Sequence, residues 1–310
     1  MNTDVSFTVG ICLTDEAVCL EKLISATNRE SLPNGVTITD LILVVSGGFR
    51  NTEAVATNSS VRFPRTVIVE ERRSGKASAI NRIISSMRGN NLLLINGDAL
   101  PEAGSIAALM EDLVTSGRAM MCAQPLPAVS NCSPVTAGLM RFLWSLHNST
   151  MDTLEKCGER IHLTDEMIAI NGKHIAKLPD GTVNDGAFIS TRTQLNGDAV
   201  SFSRRAVVRV SVPHGIRDII VQRRRIIFGH LQVKELVGVL PGTAEFTASK
   251  HPLIGLRIIS DYSRKHPLEF LIFPLAVAVE MISLLGALRD RKKKSDVHAV
   301  WRRVDNAVWR

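Results

Sequence analysis

Four short segments carry residues whose types and spacing suit an anionic, metal-chelating ligand. Thr14-Asp15-Glu16 offers two adjacent carboxylates, and Ser46-Gly47-Gly48-Phe49-Arg50 offers a hydroxyl and a glycine-rich backbone. Arg72-Arg73-Ser74-Gly75-Lys76-Ala77-Ser78-Ala79-Ile80-Asn81 sets cations at the start of a helical pattern, and Asn96-Gly97-Asp98 spaces two hard oxygen donors one residue apart. Glycine-rich backbone and nearby cations cradle phosphates, carboxylates hold ribose or base, and hard oxygens hold Mg2+ or Mn2+. Each segment alone also has a plain structural reading. Asp15 and Glu16 favour a helix N-terminus, Ser46-Gly47-Gly48 and Asn96-Gly97 make ordinary turns, and Lys76 suits a solvated helix face. Their joint placement argues for one site able to take a nucleoside diphosphate.

That placement follows from the elements around them. Apolar runs at 5–12, 40–45, 65–70 and 91–95 read as strands, and amphipathic patterns at 15–29, 74–87 and 101–115 read as helices, the last with Pro101 at its first position. Strands alternating with helices imply an α/β fold with a mostly parallel sheet covered on both faces. Ligands of such sheets bind outside the carboxyl ends of the strands, where all four segments fall. Farther on, 134–157 and 215–239 read as helices, and 267–288 is the most apolar stretch of the chain. His147, inside the 134–157 pattern, reads as a satisfied histidine rather than a ligand-binding one.

The order of these segments resembles the nucleotide-binding half of the family 2 glycosyltransferases, which have the GT-A fold. The resemblance rests on Asp15-Glu16, Ser46-Gly47-Gly48, Gly75-Lys76-Ala77-Ser78-Ala79-Ile80-Asn81 and Asn96-Gly97-Asp98. It extends to Val183-Asn184-Asp185-Gly186, similar to an acidic segment whose second acid is the catalytic base. It also reaches Gln222-Arg223-Arg224-Arg225-Ile226, which resembles the QxxRW motif of polymer-making members. The resemblance implies a metal-dependent, inverting hexosyl transfer from a nucleotide-sugar donor, UDP-linked sugars among the candidates, to a glycan or lipid-linked acceptor. It implies Asp185 as base and Asp98 as ligand to Mg2+ or Mn2+. Asp15, Glu16, Ser46, Lys76 and Asn96 would hold the donor, and Gln222, Arg224 and Arg225 the diphosphate or acceptor. Ser46, Asn96 and Ile226 stand where many members have Asp, Asp and Trp. Those departures carry the rival reading, a catalytically impaired relative acting as a membrane-associated scaffold or regulatory subunit. On this view 1–213 is the catalytic domain, with a nucleotide half 1–125 and an acceptor half 126–213. Segment 214–266 supplies helices that complete the site, 267–288 is an apolar membrane segment, and 289–310 is a basic tail.

Composition narrows the alternatives. The chain has 310 residues, 45% of them hydrophobic and 22% charged, as expected of a folded globular chain. Of its net charge of +7, the tail 289–310 supplies most, with eight Lys and Arg against three Asp. A basic tail beside an apolar run suits an anionic membrane surface. Nucleic acid is a poor partner, because a single Tyr and few other aromatics give no stacking platform. A nicotinamide-dependent enzyme is disfavoured because no GxGxxG follows the first strand. Five cysteines without CxxC spacing suggest reduced thiols, and eight scattered His suggest no zinc site. The first residues lack a signal-peptide pattern, so a cytoplasmic catalytic domain on a membrane is expected. Segment 267–288 is long enough to span a bilayer but holds Glu280, and a single span would put the basic run on the outer side. A re-entrant or in-plane helix kinked at Pro274 suits the flanking charges better than a span or a buried soluble helix.

Overall fold

The apolar runs of the first hundred residues pair as parallel neighbours. In the computed structural model, which describes residues 5–293 together with His298 and Val300, the strands are β1 (Val5–Leu13), β2 (Val36–Ser46), β3 (Arg65–Glu70), β4 (Asn91–Asn96), β5 (Ala99–Pro101), β6 (Met120–Ala128), β7 (Met167–Ile170) and β8 (Val200–Ser211). They form one sheet in the order β3-β2-β1-β4-β7-β6-β8-β5. β1 is flanked by β2 and β4, both parallel to it, whereas β7 runs antiparallel between β4 and β6. The connection order therefore reverses beside β1, opening a crevice at the carboxyl ends of β1 and β4. Register brings the chemistry-bearing turns level there, with Cys12 opposite Asn96, Leu13 opposite Val45 and Ser46 opposite Glu70.

Two-residue alternation divides each central strand between two cores. Phe7, Val9, Ile11, Leu41, Leu43 and Val45 pack beneath α1 (Ala17–Arg29), α2 (Arg50–Asn58) and α4 (Ser105–Ser116). Ile42, Val44, Leu92 and Leu94 pack on the other face beneath α3 (Lys76–Ser86), α5 (Pro134–Lys156) and α6 (Asp185–Leu195). The helix expected from Pro101 begins later. Pro101 ends the short strand β5, which pairs with β8, and Gly104 at φ 81° leads into α4 at Ser105. α5 starts where expected, with the Ser133 hydroxyl accepting from Thr136 N–H at 3.2 Å and Pro134 in the first turn.

Segment 214–266 forms α7 (Ile216–Val237), α8 (Ala244–Lys250) and α9 (Pro252–Lys265), followed by a 3-10 turn Glu269–Ile272 and α10 (Phe273–Lys292). Pro274 does not kink a helix. It lies in the first turn of α10, where its missing N–H has no partner to lose. The α10 helix packs along α7. The Arg223–Glu280 ion pair closes to 2.5 Å off the hydrogen-bonding angle, Arg224 Nε donates to Asp290 at 2.6 Å, and the Ser283 hydroxyl donates to the Ile220 carbonyl at 3.2 Å. Phe142, Tyr262, Ala276 and Val279 close a separate apolar cluster between α5, α9 and α10. Of the basic tail, residues 289–293 and His298 are described and most of the remainder lies outside the described residues.

Candidate active site

Local hydrogen bonds shape the crevice before any ligand is considered. Beyond β1, the Glu16 carboxylate accepts the Thr14 hydroxyl at 2.7 Å and the Thr14 N–H, so the turn is held closed. Gly97 lies against this turn. A Cβ there would stand 2.7 Å from Leu13 Cδ2 and 2.9 Å from the Cys12 carbonyl, so the approach of β4 to β1 requires glycine. Beyond β2, the Ser46 hydroxyl bonds Glu70 at 2.7 Å, and Arg73 packs where a side chain on Gly47 would be. Gly75 at φ 93° turns the chain into α3, which opens on Lys76.

Lys76 lies between two acids, bonded to Asp165 and 3.1 Å from Asp185. Burial works against its ammonium, but the two carboxylates more than offset this and hold its pKa above the ordinary value. Burial would raise the Asp165 carboxyl, yet Lys76 outweighs it and holds Asp165 well below the usual range. Asp185, at the start of α6 and buried, is pushed up to about 6 by burial and by Asp165, with Lys76 opposing. Glu166 is pushed up to about 8 by burial, Asp165 and Asp98, and it accepts from Asn96 Nδ2 at 3.0 Å. From α7, Gln222, Arg225 and Ile226 face the same space, and Arg225 Nη2 donates to the Val183 carbonyl at 3.2 Å.

The result is a cleft of about 220 Å³ whose walls include Glu16, Ser46, Lys76, Asn96, Asp98, Gln222 and Arg225. Three residues named from the sequence are placed differently. Asp15 is exposed and outside the lining. Asp185 sits one layer down, behind Lys76, in a small void rather than the cleft wall. Arg224 is turned out of the cleft, because its position on α7 faces it toward Asp290 of α10.

Two acids went unnamed in the sequence: Asp165 and Glu166 both line the cleft. They immediately precede the four-residue β7. An antiparallel strand brings its beginning, not its end, to the carboxyl edge of the parallel strands. The Thr164-Asp165-Glu166 run ahead of an apolar tetrapeptide was the available signal. Among the described residues no group of three or more His, Cys, Asp or Glu is arranged to hold a metal ion. The oxygen donors that do converge are Asp98, Glu166 and the Asn96 amide. That set fits Mg2+ or Mn2+ held by one or two carboxylates with ligand phosphates completing the shell.

No protein-family model and no curated protein matches the sequence. Solved structures do match the fold. A mannosyltransferase from Pyrobaculum calidifontis, in complex with GDP-Man and Mn2+, superposes with a TM-score of 0.66 at 14% identity, covering 93% of this chain and 87% of its own. The chain has the GT-A fold. S. aureus TarS 1–349, in complex with UDP-GlcNAc, matches with a TM-score of 0.51 at 11% identity over 94% of this chain and 93% of its own. The first neighbour is a mannosyltransferase by name, and both are in complex with a nucleotide sugar. The GT-A architecture accounts for the crevice beside β1 and for the positions of Glu16, Lys76 and Asp98 around it.

Proposed function

We propose that this chain is an inverting glycosyltransferase that takes a sugar from a nucleotide-diphosphate donor and works on a membrane surface. The observation that carries the reading is the convergence of Glu16, Lys76, Asp98, Gln222 and Arg225 on one cleft at the carboxyl ends of β1 and β4. Glu16 and Ser46 bind the nucleoside end. Lys76, Arg73 and Arg225 face the diphosphate and offset the charge that builds on it as it departs. Asp98, with Glu166 and the Asn96 amide, would hold Mg2+ or Mn2+, which supplies Lewis-acid stabilisation of the leaving diphosphate. An acceptor hydroxyl attacks the anomeric carbon, the bond to the diphosphate oxygen breaks, and the hydroxyl proton passes to a carboxylate.

Asp185 is the base on the resemblance, and a pKa near 6 suits that work. Diphosphate binding that draws Lys76 outward uncovers it. One observation favours a second reading, in which Asp165 takes the proton: Asp165 lines the cleft and Asp185 does not. The test of the function is hydrolysis and transfer with a panel of GDP- and UDP-sugars in Mg2+ and Mn2+. A functional transferase consumes at least one donor and loses that activity on chelation. A scaffold that kept only the fold consumes none.

The membrane reading rests on α10. Residues Glu269–Lys292 are long and apolar enough to cross a bilayer, and only 22% of the apolar window is buried, unlike a soluble core helix. Its inner face is tied to α7 through Arg223 and Arg224. Its outer face, with Met281, Ile282 and Leu285, is exposed, as are Leu268 and Leu271 of the preceding turn and Leu253 and Leu256 of α9. We assign this face to the surface of an anionic bilayer, because Arg264, Lys265, Arg289, Lys292 and Lys293 rim it with positive charge. A span would break both ion pairs and leave Glu280 in hydrocarbon, at a cost of about 2.5–3.5 kcal/mol.

A further inference from the structure

The cleft does not end at its α7 wall. Asp165, Glu166, Asn184, Gln222 and Ile226 are shared with a second cavity of about 140 Å³ between α5, α7 and the loop that enters α8. No residue role assigned so far uses its far side. A row of rings lies there, each meeting the next edge to face. Trp144 stands 5.9 Å from His147, His147 5.8 Å from His162 and His162 4.9 Å from His230, and Phe246, outside the lining, backs His230 at 5.9 Å. Met140, Leu143 and Leu146 complete an apolar wall.

Four polar atoms in this lining are buried and have no hydrogen-bond partner among the described residues: Trp144 Nε1, Thr164 Oγ1, His230 Nε2 and Arg223 Nε, the last held by the Glu280 ion pair. His230 itself is 4% exposed. A buried polar atom left unpaired is costly and marks a place where a ligand or an ordered water completes the bonding. Among the described residues the cavity lining carries no uncompensated positive charge. Arg223, the only Lys or Arg in its lining, is paired with Glu280 at 2.5 Å and Glu245 at 3.4 Å. Burial keeps the three imidazoles neutral, pushing His147 down to about 3 and His162 to about 4 and holding His230 well below its ordinary value. A phosphate or carboxylate entering here would be a buried charge without a counter-ion. A sugar ring would not. Its C–H faces pack on aromatic walls, and its hydroxyls donate and accept equally well.

We propose that this second cavity is the acceptor subsite and that it takes an uncharged, hydroxyl-rich sugar ring, excluding phosphorylated and carboxylated acceptors. The word acceptor rests on the transferase reading above; the ligand chemistry rests on the cavity alone. Ile226 stands at the junction, where its modest size leaves the two spaces adjoining. The sugar hydroxyl that reaches past it meets Asp165 and Glu166 at the donor side.

Calorimetric titration of the full chain, without donor, tests the ligand chemistry. The probes are methyl and octyl glycosides of glucose, mannose and N-acetylglucosamine, against glucose 1-phosphate and glucuronate. At least one neutral glycoside is expected to bind, about tenfold or more tighter than either charged probe. A tighter octyl than methyl glycoside identifies a glycolipid acceptor, and equal affinity identifies a free glycan end. Trp144→Phe keeps a ring and removes the N–H, so it should weaken the glycoside about fivefold, the size of one lost hydrogen bond. Ile226→Trp should close the junction and raise the acceptor KM more than the donor KM. No glycoside binding, charged probes binding as well as neutral ones, or unchanged affinity in a folded Trp144→Phe protein each overturns the proposal. Failure of every donor sugar to be hydrolysed would instead remove the transferase reading and leave the glycoside titration to decide the cavity.

Discussion

Lys76 shows why residue identity alone underdetermines a role. A lysine opening a helix beside a glycine-rich turn is placed to meet phosphate, yet here it also neutralises Asp165 and Asp185. Removing it leaves two adjacent acids without their cation. Lys76→Met should therefore cost about 2 kcal/mol in urea unfolding, less than a fully buried pair because Lys76 is partly solvated. The same cluster carries the proton-transfer prediction. If Asp185 is the base, Asp185→Asn should lower transfer by about 10²–10⁴-fold while nucleotide binding persists. The second reading requires that loss in Asp165→Asn instead. Single-turnover assays on both variants decide between them, and wild-type turnover in both would remove the acid–lysine cluster from the chemistry.

α7 divides its work by face. Gln222, Arg225 and Ile226 look into the cleft, Arg223 reaches Glu280 and Arg224 reaches Asp290. Arg224→Met should leave turnover within about twofold and cost no more than about 1 kcal/mol, as part-exposed ion pairs do. Arg225→Met should raise the donor KM at least tenfold; equal effects of the two would contradict the division. The seat of α7 on the catalytic half depends on Gly229, where a Cβ would stand 2.7 Å from Asn184 Cβ. Gly229→Ala should cost about 1–3 kcal/mol by overpacking and push α7 away from the cleft. A variant with unchanged urea midpoint would mean that Asn184 yields freely.

For the molecule as a whole, acid stability and membrane binding are the measurable consequences. His147, His162 and His230 have folded-state pKa values below the unfolded value near 6.5. Between about pH 4 and 6.5 the unfolded chain binds protons that the native imidazoles refuse, so their contribution is lost as pH falls. Asp185 and Glu166, raised to about 6 and about 8, tilt the opposite way across part of that window. Three imidazoles against two carboxyls leave a net loss of stability toward acid. His162→Gln should shrink that loss in thermal melts between pH 5 and 7; an unchanged profile would mean the ring is already charged. On membranes, the in-plane reading expects binding to vesicles rich in anionic lipid, weakened by salt and by Leu271→Asp with Leu285→Asp. Extraction at alkaline pH should release the protein, whereas a spanning helix would stay in the pellet.

The first half of the fold was legible because it is written in local periodicity. Apolar runs such as Asp40-Leu41-Ile42-Leu43-Val44-Val45 can be buried only as an inner strand, and the ligand-facing turns follow at the carboxyl ends as parallel topology requires. Parallel topology alone thus gathers Glu16, Lys76 and Asp98 at one edge of the sheet. What periodicity does not encode is the direction in which a short strand is paired or the side of a helix that meets a distant neighbour. β7 is four residues long and antiparallel, so Asp165 and Glu166 enter the cleft from the strand end where parallel topology puts no ligand. Arg224 and Arg225 are adjacent in a basic run and equivalent by composition, and only the docking of α10 sends one to Asp290 and leaves the other at the cleft. Contacts between residues far apart in the chain made those choices, because burying α10 against α7 fixes the rotation of both helices at once.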